Sequence, residues 1–337
     1  MKVVECAGTP GQIGAATGEA LREEIGQHIE AFPMRQWEEW EGSKPLFIEA
    51  LKRYLPHVLE EMQATARGAD VAVDEILRLN IPLYPHGLAT DEACSNVVFT
   101  GGGDGPVWGK NNDGREPHRP ICARYVKPVA GIPQVTFAFC GMVATTDGMN
   151  AEGVAVGHSS VGSVFQQSDR FVPIRLLAYD AMMESRTTAD FVRHLSETPI
   201  RGKGYSMVCV DRQGVACSIE APCPLVQVRR PASANGMHCV NCYQLPALSE
   251  ADRRTPTGKC DAHARMCLLD GILDGEGPFD LAHMERTLCS HEEPGLCRHG
   301  ECEDMVTEYA MIGLPAHNRL LFTDGNPCRG GFEELLL

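Results

Sequence analysis

The stretch that decides how this chain reads is Asp91-Glu92-Ala93-Cys94-Ser95-Asn96-Val97-Val98-Phe99, followed across a turn by Trp108-Gly109-Lys110-Asn111-Asn112-Asp113. Upstream of it the pattern is helical. Leu21, Ile25 and Ile29 recur every fourth position, as do Leu51, Leu55 and Leu59, which places each set on one helix face. Ser43 before Pro45 signals a helix start, Pro56 a break, and Asp74 a cap for a helix through Ile76, Leu77 and Leu79. Residues 1–93 therefore read as a helical layer. Downstream, short apolar runs alternate with glycine-rich turns, which predicts hairpins at 96–100 with 107–111 and at 205–210 with 215–220. Further strands are expected at 135–143, 153–157, 237–241, 308–313 and 319–323, and helices at 174–184, 189–195 and 262–273, the last capped by Asp261. Neighbouring strands join through hairpins rather than βαβ crossovers, so the sheets should be mostly antiparallel with helices layered outside, an α+β arrangement in one domain.

Composition narrows the function. The chain has 337 residues, 43% hydrophobic and 22% charged, and its formal charge is 30 − 45 = −15. That excludes disorder as the main state, and it argues against nucleic acid or an anionic membrane as partner, since both recruit basic surfaces. No apolar run approaches the roughly 18 residues of a membrane span, and residues 1–8 carry no export signal, so the chain reads as cytoplasmic. Fifteen cysteines in 337 residues is an odd count below the roughly 8% of disulfide scaffolds. Most should be reduced core thiols, so a special cysteine must be recognised by its surroundings.

Cys94 has such surroundings. A hairpin centred between Gly103 and Asp104 pairs residues whose numbers sum to 103 + 104 = 207, which sets Cys94 opposite Asp113. Opposed residues share a face with Cβ atoms about 4.5–5.5 Å apart, so a thiol would stand beside a carboxylate. Lys110 and Asp113, three apart, fall on opposite faces unless a bulge or turn intervenes. If the thiol attacks the peptide bond before it, residues 1–93 separate from 94–337 and Cys94 gains a free α-amine. Such an amine titrates at about 7.7–8.0 and can accept the thiol proton, so nucleophile and base become one residue and no histidine is required.

In these segments, taken in order, the chain resembles the penicillin acyltransferase-like cysteine hydrolases of the N-terminal-nucleophile superfamily, related to choloylglycine hydrolase and acid ceramidase. The resemblance runs through Gly11 to Gly18, Pro56-His57-Val58-Leu59-Glu60-Glu61, Ala93-Cys94-Ser95, Gly109 to Asp113, Gly148-Met149-Asn150-Ala151-Glu152-Gly153, Asp211 to Gly214, Val240-Asn241, Arg265 and Gly325-Asn326-Pro327-Cys328. It implies a four-layer αββα sandwich of two mostly antiparallel sheets, self-cleavage between Ala93 and Cys94, and attack by Cys94 on a linear carbon–nitrogen amide. It further implies that Asp113 orients the new α-amine, that Asn241 donates to the oxyanion, that Arg265 supports the site, and that a backbone N–H near His158 and Ser159 is the second oxyanion donor or lines the pocket. Lys110, expected to be catalytic as well, stands where many relatives carry arginine, Cys242 where histidine is common, and Ala93 where glycine is frequent. The implied reaction is amide hydrolysis through a thioester, with transfer to an amine as the alternative. The implied partners are a small amide substrate and the two fragments of one precursor; homo-oligomerisation is left open.

Three rival patterns are present. Cys289, His291, Cys297, His299 and Cys302 offer enough ligands for zinc, even for a noncatalytic zinc-stabilised binding protein, but their spacing fits no ribbon of paired cysteines. Gly101-Gly102-Gly103 with Gly105 lacks the ending of a phosphate loop and reads as a turn. His118, His158 and His238 could serve a papain-like thiol, though with twelve histidines some proximity is expected by chance. No cofactor and no metal are therefore expected.

Overall fold

The computed structural model describes residues 1–31, 37–80, 93–115, 119–164, 172–201, 204–300 and 304–337. Eight strands form one sheet in the order Lys2–Gly8, Ile121–Pro128, Gln134–Phe139, Gly148–Asn150, Ala155–Ser160, Tyr205–Val210, Ala216–Ala221 and Gln227–Arg229. Six form another in the order Gly236–Val240, Ser95–Phe99, Val107–Gly114, Val306–Leu314, Arg319–Asp324 and Glu333–Leu336. Within both sheets neighbours are antiparallel except for Lys2–Gly8, which runs parallel to Ile121–Pro128.

Strand alternation sorts the side chains into three cores. Val98, Trp108 and Met311 of the six-stranded sheet meet Val135, Phe137 and Val208 of the other between the sheets. Their sequence neighbours Val97, Phe99 and Val107 point the opposite way, onto Leu269 of the Pro256–Asp274 helix and Met284 of the Leu281–Leu288 helix. On the far side, Cys122, Ala138 and Cys209 pack under Ile13, Leu59 and Leu177 from the helices Pro10–Ala20, Pro56–Ala69 and Ile174–Glu184. The layers are helix, sheet, sheet, helix, so the expected αββα sandwich is present. No described helix is long and apolar enough to cross a membrane.

Several expectations need correcting. Residues 2–8 are a strand, not part of a helical layer: Val4 and Cys6 turn inward while Val3, Glu5 and Ala7 face out, a period of two too short to stand out beside the helices. Ser43 and Pro45 lie inside the Trp37–Tyr54 helix rather than at its start, and Asp74 sits in the first turn of Val73–Asn80. The helix expected from 262 begins at Pro256, because Thr255 Oγ1 accepts the Gly258 N–H at 3.1 Å and caps it there. Asp261 is thus inside the helix, one turn before Arg265.

The correction with most consequence is the hairpin register. Ser95 pairs with Asn111 and Phe99 with Val107, so paired numbers sum to 95 + 111 = 206, and the turn is centred on Gly103 itself. Continued by one residue, the ladder sets Cys94 opposite Asn112, not Asp113. A slip of one residue exchanges the two faces of a strand. Asn112 therefore shares the inter-sheet face with Cys94, while the Asp113 side chain points toward the helices.

The glycine-rich run at residues 11–18 has a packing role. A Cβ on Gly14 or Gly18 would come within 2.2 Å of the Glu61 or Thr65 carbonyl oxygen, and one on Gly68 within 2.3 Å of Ala15 O. The Pro10–Ala20 and Pro56–Ala69 helices thus touch backbone to backbone. Gly26, in the Arg22–Ala31 helix, has nothing within 4 Å of its Cβ position. Gly18→Ala should therefore cost about 1–3 kcal/mol through overpacking, whereas Gly26→Ala should stabilise by about 0.4–1 kcal/mol. Urea unfolding midpoints of the two variants should move in opposite directions; equal shifts would contradict this helix contact.

Candidate active site

Cys94 stands immediately before the Ser95–Phe99 strand and is 3% exposed. Val240 pairs with Ser95 on the other side, so the next residue, Asn241, flanks Cys94 just as Asn112 does. The thiol lies 3.6 Å from Asn112 Oδ1 and 4.0 Å from the Asp113 backbone oxygen. Asn112 is oriented in turn: its Nδ2 donates to Glu308 Oε2 at 3.0 Å, which leaves the carbonyl end for the sulfur.

The Cys94 backbone is gripped by Arg265. Its Nη1 donates to Cys94 O at 2.7 Å and Ser95 Oγ at 3.1 Å, and its Nη2 donates to Asn241 Oδ1 at 3.1 Å. Nη2 and Nε also reach Asp261 Oδ2, one helical turn earlier, at 2.8 and 3.0 Å. An arginine only donates, so Asn241 must present its oxygen to Arg265 and its Nδ2 away from it. That nitrogen donates to Ser160 O at 2.8 Å, with a second N–H on the same atom. Ser159 Oγ adds a further bond to Cys94 O at 3.2 Å and accepts from Asn96 Nδ2 at 3.1 Å.

On the helix side, Asp113 Oδ1 accepts the Thr307 hydroxyl at 2.7 Å. Its Oδ2 is buried without a hydrogen bond, with Arg298 Nε 3.5 Å away. Arg298 also binds Asp261, so two arginines and two aspartates share this pocket. The bulge that serves the site is in the partner strand. Thr307 pairs with Asp113 and Tyr309 with Asn112, which leaves Glu308 as the extra residue of the bulge, and its carboxylate accepts from Asn112. Thr307 and Glu308 also line a cavity of about 600 Å³ together with Lys2, Glu24, Arg119 and Asp324.

Lys110 is fully buried on the inter-sheet face. Its ammonium lies 2.9 Å from Asp147 Oδ2 and donates to His158 O at 2.7 Å. His158 donates both its backbone N–H and, at 2.8 Å, its Nδ1 to Asp147 Oδ1, so that backbone N–H is already engaged. Burial alone would raise the Asp147 carboxyl, yet His158 and Lys110 hold it well below the usual carboxylate range. Burial outweighs Asp147 at the imidazole and brings His158 down to about 4. His238 is paired with Asp270 at 2.8 Å, and His118, Cys302, Asp91 and Glu92 lie outside the described residues.

Sequence reasoning missed Asn112, Glu308, Thr307, Asp261 as a site residue, Arg298 and Asp147. One signal was available: Lys110-Asn111-Asn112-Asp113 is a polar run inside a buried strand, and each member needs a buried partner.

No protein-family model matches the chain, and a search of curated proteins finds no match. Solved structures match it in fold. A variant of conjugated bile acid hydrolase from Clostridium perfringens aligns over 72% of this chain and 97% of its own, at 10% identity and a TM-score of 0.51. The N-acylethanolamine-hydrolyzing acid amidase ortholog of Caenorhabditis elegans aligns over 66% and 93% at 11% identity, TM-score 0.48. Penicillin V acylase from Agrobacterium tumefaciens aligns over 68% and 83% at 13% identity, TM-score 0.46. At such identities the likeness is one of fold, and the bile acid hydrolase carries it: the sandwich is the N-terminal-nucleophile hydrolase fold.

Asp113 gives the site a pH signature. Burial pushes its carboxyl from 3.8 up to about 6, against the pull of Arg298 and Thr307. A folded value above the unfolded one means that this group's stabilisation is complete below about 3.8 and is lost as pH rises through about 6. In a Cys94→Ala background, which keeps that thiol from cutting the chain, Asp113→Asn should gain thermal stability relative to its parent across that window. A difference in Tm that stays flat with pH would show that the carboxyl is not raised.

Proposed function

We propose that this protein is a self-processing cysteine amidase that hydrolyses a linear amide of a small N-acyl compound through a Cys94 thioester. The observation that carries the reading is the pairing of Cys94 with an oriented amide. Arg265 binds both Cys94 O and Asn241 Oδ1, so it directs Asn241 Nδ2 to the thiol's side of the strand.

Processing comes first. The Cys94 sulfur attacks the Ala93 carbonyl, the peptide nitrogen leaves with a proton as the new α-amine, and water hydrolyses the resulting thioester. This yields fragments of 93 and 337 − 93 = 244 residues, held together as an αβ heterodimer. In turnover the α-amine takes the thiol proton, the thiolate adds to the substrate carbonyl, and the departing amine receives that proton. Negative charge forms on the carbonyl oxygen in the transition state, where the second Asn241 N–H can meet it. Water then releases the free acid.

The remaining residues position these groups. Asp113 Oδ2, buried without a hydrogen-bond donor, is the acceptor suited to the α-ammonium. Lys110 neutralises Asp147 and fastens the Ala155–Ser160 strand, so that Ser159 Oγ reaches Cys94 O. The cavity beside Glu308 adjoins the sulfur through Asn112 and is the suited place for substrate entry. The resemblance to penicillin acyltransferase-like hydrolases supports the choice of an N-acyl amide, and the hydrolase of conjugated bile acids shares the fold.

Incubation with a panel of N-acyl p-nitroanilides, quenched and analysed by mass spectrometry, should show an acyl adduct on Cys94 in the 94–337 fragment and free acid as product. Asn241→Ala should lower kcat by about 10²–10³ with the adduct site unchanged. Cys94→Ala should abolish the adduct and turnover together; turnover that survives in this variant would overturn the assignment.

A further inference from the structure

The segment from Cys289 to His299 lacks a zinc-ribbon spacing, but the fold supplies a ligand from 29 residues beyond His299. His291 and His299 bring their Nε2 atoms to 3.0 Å. His299 Nε2 is 3.7 Å from Cys297 Sγ and 3.3 Å from Cys328 Sγ, and the two sulfurs are 3.6 Å apart. All four donor atoms lie within 4.8 Å of one another. A tetrahedral zinc ion, with Zn–S of about 2.3 Å and Zn–N of about 2.0–2.1 Å, requires edges of about 3.8 Å between sulfurs, about 3.6 Å between sulfur and nitrogen and about 3.3 Å between nitrogens. Four of the six edges lie within about 0.3 Å of these values and the two from His291 to the sulfurs lie within 4.8 Å, whereas a disulfide would need sulfurs about 2.05 Å apart.

We infer that His291, Cys297, His299 and Cys328 bind one zinc ion in a closed, structural two-cysteine, two-histidine site. Binding releases one proton from each thiol, so two thiolates and two neutral imidazoles balance the divalent charge. Asn326 Nδ2, 3.7 Å from Cys297 Sγ, supplies an N–H to that sulfur. Cys328 and His291 are exposed, which leaves the ion a way in. With four protein ligands no position is open for substrate, so the ion clamps rather than catalyses.

What it clamps is Arg298, the residue between two of the ligands. The Arg298 backbone N–H bonds Thr307 Oγ1 at 2.9 Å and its guanidinium reaches Asp113 and Asp261. The site thereby ties the C-terminal turn Pro327–Arg329 to the residue that faces Asp113. The inference goes beyond the amidase reading and does not need it.

The test uses the full-length protein purified without chelator and analysed for metals by mass spectrometry. About one zinc per chain is expected. His291→Ala and Cys328→Ser, both at exposed positions, should each weaken zinc at least ~10-fold in competition with a chromogenic chelator, while Cys260→Ser should not. Added chelator should lower the Tm of the wild type more than that of Cys328→Ser. A zinc-free protein that takes up no zinc on reconstitution, zinc affinity unchanged in both ligand variants, or a Cys297–Cys328 disulfide in protein kept under reductant would overturn the inference.

Discussion

A guanidinium with no access to solvent must satisfy all its N–H donors inside the protein, and Arg265 does so on three separate pieces of chain. It holds the carbonyl at the head of the Ser95–Phe99 strand, the amide just after the Gly236–Val240 strand, and the carboxylate of Asp261 one turn back on its own helix. Each of these partners alone could adopt other conformations. Shared by one planar, charged group, they have a single arrangement, and the orientation of Asn241 follows from it.

The site is divided by its own backbone. Sulfur, Asn112 and Asn241 face the gap between the sheets, whereas the Asp113 carboxylate, Asp261, Arg265 and Arg298 lie under the helices. Two positive and two negative groups meet there, and removing either arginine, which would leave Asp261 buried without one of its two partners, typically costs about 3–5 kcal/mol. Lys110, Asp147 and His158 form a second buried set between the sheets, one strand position from Asn112 on the same face. The division suits a nucleophile whose proton acceptor is its own main-chain nitrogen: sulfur chemistry on one face, charge support on the other.

Much of this was legible in the chain. The change from helical to strand periodicity near residue 93, the hairpins and the helices outside mostly antiparallel sheets follow from alternation and turn chemistry, the four-layer αββα order is what the family resemblance implies, and the 174–184 helix has the bounds its pattern suggests. The pairing of thiol with carboxylate did not survive, because register depends on whether the turn centre falls on a residue or between two, and seven residues rich in glycine encode that weakly. Asp261 has the look of a cap, an acidic residue before an apolar run, but Thr255, six residues earlier, forms the actual cap. Arg298, Thr307 and Glu308 reach the site only through long-range pairing and a bulge, neither of which has a local sequence signal.

The central claim is that an internal cysteine becomes a chain terminus. N-terminal sequencing of a fully active preparation tests it most directly. The account predicts two sequences, one from Met1 and one reading Cys-Ser-Asn-Val-Val from Cys94. Active protein that yields the Met1 sequence alone, with an intact mass equal to the undivided 337-residue chain, would contradict it.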